Sequence, residues 1–449
     1  MHSRGTATQG AAGLRITAVP NAILLSAPCS LRHRLKFLQT MLRFLSSIRP
    51  ARLGPALGLL LLVAARPVPA QRVDTNPLNL QPEVRVAFQH VYSMDYDDAI
   101  RRFEEIQRRH PGNPMATDYV LDAVTFQELN RLDLLDTTFY TNDGFLTGKH
   151  TVTEDPKTRD RIRALGAQAI SEANAELSRN PNDADALFAR GFARSLEAVY
   201  SGMAERAFSA GLRQAWDARN DCSRVLQLDP DYVDAKLVVG VYDYVVGALP
   251  FAFKIFIGIV GIHGSRPQGL ALLQDDAVRG VVTSVEARTA LMLFLRREGK
   301  YGQAAAIARG LAQEYPRGFL FQLEEANLQK DGGEGMTAVY TYQHLIQLAR
   351  RPGYFDSAHP ELAYYGLGEA LRGQGHYADA VAAYRDGAFQ PNTSLELRRR
   401  CLLRAGETLD LMHDRAAAVK EYQAVMTAGA DTVQGEQAEK YIHSAYTGH

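Results

Sequence analysis

The chain has 449 residues, with 50 Lys+Arg against 50 Asp+Glu and 46% hydrophobic residues, which excludes wholesale disorder. The balance of charge hides an asymmetry. Nine basic and no acidic residues fall in 1–70, so the remainder carries 41 basic against 50 acidic side chains, a poor composition for holding nucleic acid through its phosphates. Three cysteines exclude a disulfide framework.

The first element is an export signal. Arg43, Arg49 and Arg52 precede an uncharged, Leu-rich run from Leu53 to Ala65, and Val68-Pro69-Ala70 supplies small residues before a cut. That order is the n-region, h-region and cleavage site of a secretory signal. Thirteen residues are too few to span ~30 Å of hydrocarbon as a helix. Residues 41–70 are therefore expected to be the signal peptide, with Met41 as the true start and residues 1–40 a mis-called extension. The mature chain is expected to be exported, periplasmic or extracellular after cleavage near Ala70.

From residue 71 onward, the chain repeats. A unit counted from 79 carries Val86, Ala87, Tyr96, Ala99, Phe103, Ile106 and Pro111. The pattern then departs over 114–180, where one helix ends near Arg131, a polar loop follows around Asn142-Asp143-Gly144, and a second helix runs from about Lys157 to Ser178. Asp183 to Pro230 is a degenerate unit, with Gly191 on its first helix and Ala218 and Cys222 on its second. Cys222 and Cys401 read as buried free thiols. Asp229-x-Asp231-x-x-Asp234 resembles the opening of a calcium loop but lacks its Gly and bidentate Glu, and reads as helix punctuation.

Residues 231–284 form another degenerate unit holding an apolar insertion at 244–267. Tyr244 to Ile262 has one charge, Lys254, and is broken by Pro250 and Gly258, so it does not read as a transmembrane helix. Its apolar contact residues are Phe251, Phe253, Ile255 and Phe256. The expected role is a plug in the interior of the array, with a membrane-surface contact as the alternative.

Regular units resume over 285–432. Leu291, Leu295, Gly299, Tyr301, Ala304, Leu311 and Pro316 make one, and Leu320, Leu323, Ala338, Tyr342 and Leu345 a looser one. Tyr364, Leu367, Gly368, Leu371, Ala380 and Tyr384 stand at positions 4, 7, 8, 11, 20 and 24 of the next, which Pro391 closes. Leu402, Ala405, Gly406, Leu409, Ala418 and Tyr422 repeat that spacing. Small residues at 8 and 20 let two helices approach, and the large ones fill the space between them. Residues 433–449 read as a polar capping helix and tail.

These spacings resemble the tetratricopeptide repeat (TPR) superfamily. The resemblance implies an all-α fold, a right-handed superhelix of about six to eight helical hairpins. Gly240-Val241-Tyr242, Gly247-Ala248-Leu249-Pro250, Ile259 to Ser265 and Gly269-Leu270 resemble, over about 40 residues, the inclusion-body-clearance family of mitochondrial outer-membrane TPR proteins. His263-Gly264-Ser265-Arg266 departs from that family's acidic turn. This likeness implies a scaffold near a membrane, without catalysis or cofactor.

No zincin, P-loop or Cys-x-x-Cys motif occurs, so neither a metal nor a cofactor is expected. The glycines at 366, 368, 373 and 375 serve close approach and a turn rather than phosphate. In a TPR superhelix, first-helix positions 2, 5, 9 and 12 line the groove, which points to Arg296, Arg297, Tyr365, Arg372 and Arg400 as contacts for a protein or peptide segment. The Lys and Asn of carboxylate-clamp TPRs are missing. The expected function is an exported, non-catalytic scaffold binding protein segments in the bacterial cell envelope. The alternative is a lipid- or membrane-associating helical protein acting through 244–262. A third reading, an enzyme, rests on Asp133, Asp136, His150 and Glu154 in the irregular insertion.

Overall fold

The computed structural model describes residues 74–140, 154–250, 252–253 and 263–448. Among them there are seventeen α-helices and no strand, only an isolated bridge between Asp74 and Tyr232. The helices pair in sequence. Hairpin 1 is α1 (Pro82–Tyr92) with α2 (Tyr96–Arg109), and hairpin 2 is α3 (Pro114–Arg131) with α4 (Pro156–Arg179). Hairpin 3 joins α5 (Ala184–Met203) to α6 (Phe208–Leu228), and hairpin 4 joins α7 (Ala235–Ala248) to α8 (Arg266–Arg279). Hairpins 5 and 6 are α9 (Ser284–Arg297) with α10 (Tyr301–Glu314), and α11 (Phe319–Asp331) with α12 (Gly335–Ala349). Hairpins 7 and 8 are α13 (Pro360–Gly373) with α14 (Tyr377–Ala388), and α15 (Leu395–Leu411) with α16 (Arg415–Gly429). A last helix, α17 (Val433–His443), packs on α16 and covers the open end.

The expected packing logic is visible atom by atom. A methyl on Gly368 would sit 2.5 Å from the Tyr384 ring, and one on Gly406 would sit 2.5 Å from the Tyr422 ring. Position 8 is small because the aromatic of position 24 lies flat against that backbone. Gly191 does the same for Cys222 in hairpin 3, at 2.7 Å. Val86 is a correction to the first unit. It is 39% exposed, and Val84, Ala87, Phe88 and Val91 carry the buried stripe of α1 instead.

The two irregular stretches each contain a helical hairpin. The 114–180 region is hairpin 2 with a long connection between its helices, capped by Asp155, whose carboxylate accepts from the Lys157 and Thr158 amides. Residues 231–284 contain hairpin 4, whose helices meet nearly backbone to backbone. A methyl on Gly269 would fall 2.6 Å from the Gly240 carbonyl oxygen, and one on Gly264 would fall 2.5 Å from that of Asp243. Glycine is the one residue that fits such contacts without a shift.

First helices of successive hairpins also touch one another: α3 with α5, α5 with α7, α7 with α9, α11 with α13 and α13 with α15. No comparable contact joins successive second helices among the described residues. The first helices are therefore the crowded, inner row, and the second helices are the spread, outer one. The coil is tight enough to bring hairpin 1 against hairpin 5. Tyr92 stacks edge-on with Tyr315 at 5.0 Å, and its hydroxyl donates to Glu286 Oε1 at 2.8 Å.

Asp234, read as punctuation, is a tie. It is fully buried and accepts from the Val281 and Val282 amides and from the Thr75 and Thr283 hydroxyls. It thereby fixes the N-terminal segment and the α8–α9 connection to the start of α7.

Candidate interaction groove

The inner row has two chemically distinct ends. At the C-terminal end, α13 and α15 place Tyr365, Glu369 and Arg372 beside Arg400, Arg404 and Glu407. Position 8 of each helix faces its own hairpin partner, so these neighbouring positions turn inward. The Arg400 guanidinium lies over the Tyr365 ring at 4.7 Å, and that ring lies 6.0 Å from Tyr384. Arg404 reaches Glu369 at 3.3 Å and Glu407 at 2.8 Å, and Arg372 reaches Glu407 at 3.4 Å. The tail returns here: Arg372 lies over the Tyr446 ring at 5.3 Å and donates to its hydroxyl at 3.0 Å. All of these arginines are half-buried. Nearby carboxylates and phenols hold Arg372, Arg400 and Arg404 in the charged form against the opposing effect of burial.

The other candidates stand elsewhere. Arg296 is 3% exposed and committed inside the protein. It donates to Glu324 at 2.9 Å, to Asp331 at 2.8 Å and to the Thr137 hydroxyl at 2.8 Å. Thr137 in turn donates to Glu324. The segment after α3 thus runs across the inner row to α9 and α11. Arg297, one position on, turns toward α7, where it acts on the Tyr244 phenol. Phe253 is half-buried and meets Phe208 edge-on at 5.7 Å, so it rests on hairpin 3. Phe251, Ile255 and Phe256 lie outside the described residues.

The N-terminal end of the row is acidic. Asp118 and Asp122, one turn apart on α3, are buried, and none of their four carboxylate oxygens has a hydrogen-bond partner. Burial drives the pKa of both well above the usual range. Glu172 and Asp122 add to the rise at Asp118, and Glu286 adds to it at Asp122. Burial also pushes Glu286 up to about 7, partly opposed by the Tyr92 hydrogen bond. Burial thus disfavours the charged form of all three acids at this end of the row.

The titratable group in the insertion divides. Asp133 lies beside His359 and Glu361 at the start of α13, whereas Asp136 acts on Arg296 and Arg400. Glu154 precedes α4, and His150 lies outside the described residues. Sequence reasoning missed His359 and Glu361, which are separated from Asp133 by more than 220 positions. It also missed Asp118 and Asp122, although two acids inside the apolar run from Met115 to Val124 were a readable signal.

No protein-family profile matches the chain, and no characterised protein matches it in sequence. Similar solved structures include a tetratricopeptide repeat protein from Parabacteroides merdae, at 15% identity over 73% of this chain and 99% of that one, with a TM-score of 0.32. Yeast Tom70 is 10% identical over 80% of this chain and 87% of its own, with a TM-score of 0.37. A human IFIT1 dimer with PPP-AAAA is 11% identical over 84% and 88%, also at 0.37. Likenesses this low carry no argument. The class, an all-α solenoid of helical hairpins, rests on the helix pairing and the Gly–Tyr packing described above. Among the described residues no helix is long and apolar enough to cross a membrane.

Proposed function

We propose that the chain is an exported, non-catalytic scaffold that holds a protein segment along its inner helical row in the bacterial cell envelope. The carrying observation is the half-buried platform of Tyr365, Arg372, Arg400 and Arg404 at the C-terminal end of that row. Tyrosine and arginine dominate the energetics of protein interfaces, because each offers a large rigid face together with a hydrogen-bonding edge. Here each guanidinium already lies against a ring or shares a carboxylate. An incoming acidic side chain or chain terminus can take over those forked bonds with little loss of side-chain freedom. Export rests on the basic, apolar and small-residue order across Met41–Ala70.

The test is capture from envelope extract on immobilised residues 71–449, with the partner identified by mass spectrometry. A double Arg372→Ala, Arg400→Ala chain with an unchanged melting curve should lose the partner, and the wild-type complex should weaken as salt rises. Equal recovery on both chains would sink the assignment of this platform. The exported form should begin at Gln71, and a cytoplasmic form retaining 41–70 would refute export.

A further inference from the structure

Two clusters bring a histidine and two carboxylates together with ligand atoms within 4.8 Å of one another. The first, His90, Asp95 and Asp98 at the turn of hairpin 1, is already used: Asp98 is paired with Arg101 and Arg102, and His90 Nδ1 is bonded to Asp95 at 2.8 Å. The second is different. Asp133 comes from the segment that follows α3, His359 is the residue before α13, and Glu361 lies in the first turn of that helix. His359 Nδ1 stands 3.0 Å from Glu361 Oε1 and 3.7 Å from Asp133 Oδ1. No arginine or lysine is paired with any of the three among the described ion pairs.

One further fact points to a ligand. Glu361 is 1% exposed, and its second oxygen, Oε2, has no hydrogen-bond partner. The edge of the His359 ring that faces both carboxylates is the Nδ1 edge. A buried acceptor without a donor is expensive, roughly 1–3 kcal/mol, and calls for an explanation. An imidazole nitrogen and two carboxylate oxygens, each ~2.0–2.2 Å from a common centre, stand about 3.0–3.6 Å apart in tetrahedral or octahedral arrangements. The Glu361 separation of 3.0 Å falls within that spacing and the Asp133 separation of 3.7 Å lies 0.1 Å beyond it.

We propose that Asp133, His359 and Glu361 bind a divalent transition-metal ion, Zn2+ by preference, clasping the post-α3 segment to hairpin 7 across the inner row. The donor set, one imidazole and two carboxylates, suits Zn2+, Co2+ or Mn2+ better than the all-oxygen shells taken by Ca2+ and Mg2+. Glu361 Oε2 supplies a second oxygen to the same ion, which removes the orphan. His359 Nδ1 must be free of a proton to ligate, and protons compete with the ion for all three ligands, so affinity falls as pH drops. The clasp joins hairpin 2 to hairpin 7, elements far apart in sequence, and so makes the groove's geometry depend on the ion.

Equilibrium dialysis of the purified metal-free chain against Zn2+ tests this, with the visible d–d absorption of Co2+ as the second readout. One equivalent of Zn2+ should bind, the melting temperature should rise with Zn2+, and Co2+ should show an absorption band of a site containing nitrogen. His359→Asn and Asp133→Asn should each weaken binding at least tenfold, Glu361→Gln similarly, and His90→Asn should leave it unchanged. If His359→Asn fails to fold, Asp133→Asn on the connecting segment decides. Absence of the Co2+ band in the wild-type chain, or stabilisation by Ca2+ alone, would overturn the proposal, as would equal Zn2+ binding by His359→Asn. In each case the trio would be an ion-paired histidine.

Discussion

Arg296→Ala tests the assignment of the inner row to internal ties. The guanidinium contacts three partners, Glu324, Asp331 and Thr137, with its side chain 2% exposed. Asp331 keeps Lys330 as a partner after the change, and it is partly open to water. Glu324 is not so placed. It is 4% exposed and retains only the Thr137 hydroxyl and the Asn327 amide, at 3.2 Å. Removing one member of a buried pair costs ~3–5 kcal/mol, and the two surviving hydrogen bonds place this case near the lower end, about 3 kcal/mol. Burial already raises the Glu324 pKa while Arg296 opposes the rise. Without Arg296 the folded-state value climbs further above the unfolded one. An acid raised in this way is harmless below its unfolded pKa and costs stability as pH rises. The destabilisation should therefore be largest near pH 8 and shrink toward pH 5. Urea unfolding followed by circular dichroism at the two pH values measures it. An Arg296→Met, Glu324→Gln chain should recover to within about 1 kcal/mol of wild type, since an uncharged pair of similar volume leaves no stranded charge. A single-variant loss under about 1 kcal/mol, independent of pH, would refute the reasoning and return Arg296 to the set of free partner contacts.

Three further outcomes follow from the same structure. Glu286→Gln should stabilise the protein above neutral pH by about 1–3 kcal/mol and flatten the decline of wild-type stability between pH ~4.5 and ~7, because Glu286 is raised to about 7 on folding; Asp118→Asn and Asp122→Asn should act in the same direction in pH-dependent thermal melts. Gly264→Ala should cost roughly 1–3 kcal/mol in urea unfolding, since its Cβ would press 2.5 Å from one backbone oxygen and 2.7 Å from the Gly247 nitrogen; a neutral effect would show that α7 and α8 can separate cheaply. Cys222 and Cys401 should resist a thiol reagent in the native state and react on unfolding, as burial raises both thiols, Cys401 to about 12; rapid native labelling would contradict their placement.

Read alone, the sequence determined the hairpin array. Helix pairing is local: positions 8, 20 and 24 of one unit meet within some twenty residues, so Gly368 and Tyr384, or Gly406 and Tyr422, betray their contact by spacing. It also put Tyr365 and Arg372 on one helical face and Arg400 at the matching place on the next first helix, where Arg400 lies over the Tyr365 ring. It did not show that Arg296 is consumed by Glu324, that Asp118 and Asp122 lie buried without partners, or that Asp133 meets His359 and Glu361. Those facts depend on how far the inner row curls, which sums small rotations over eight hairpins and brings hairpin 1 against hairpin 5 and the post-α3 segment against hairpins 5 to 7. No spacing in the chain encodes that sum, and only the tertiary structure could decide which charges are stranded, which are paired and which are left to meet a ligand.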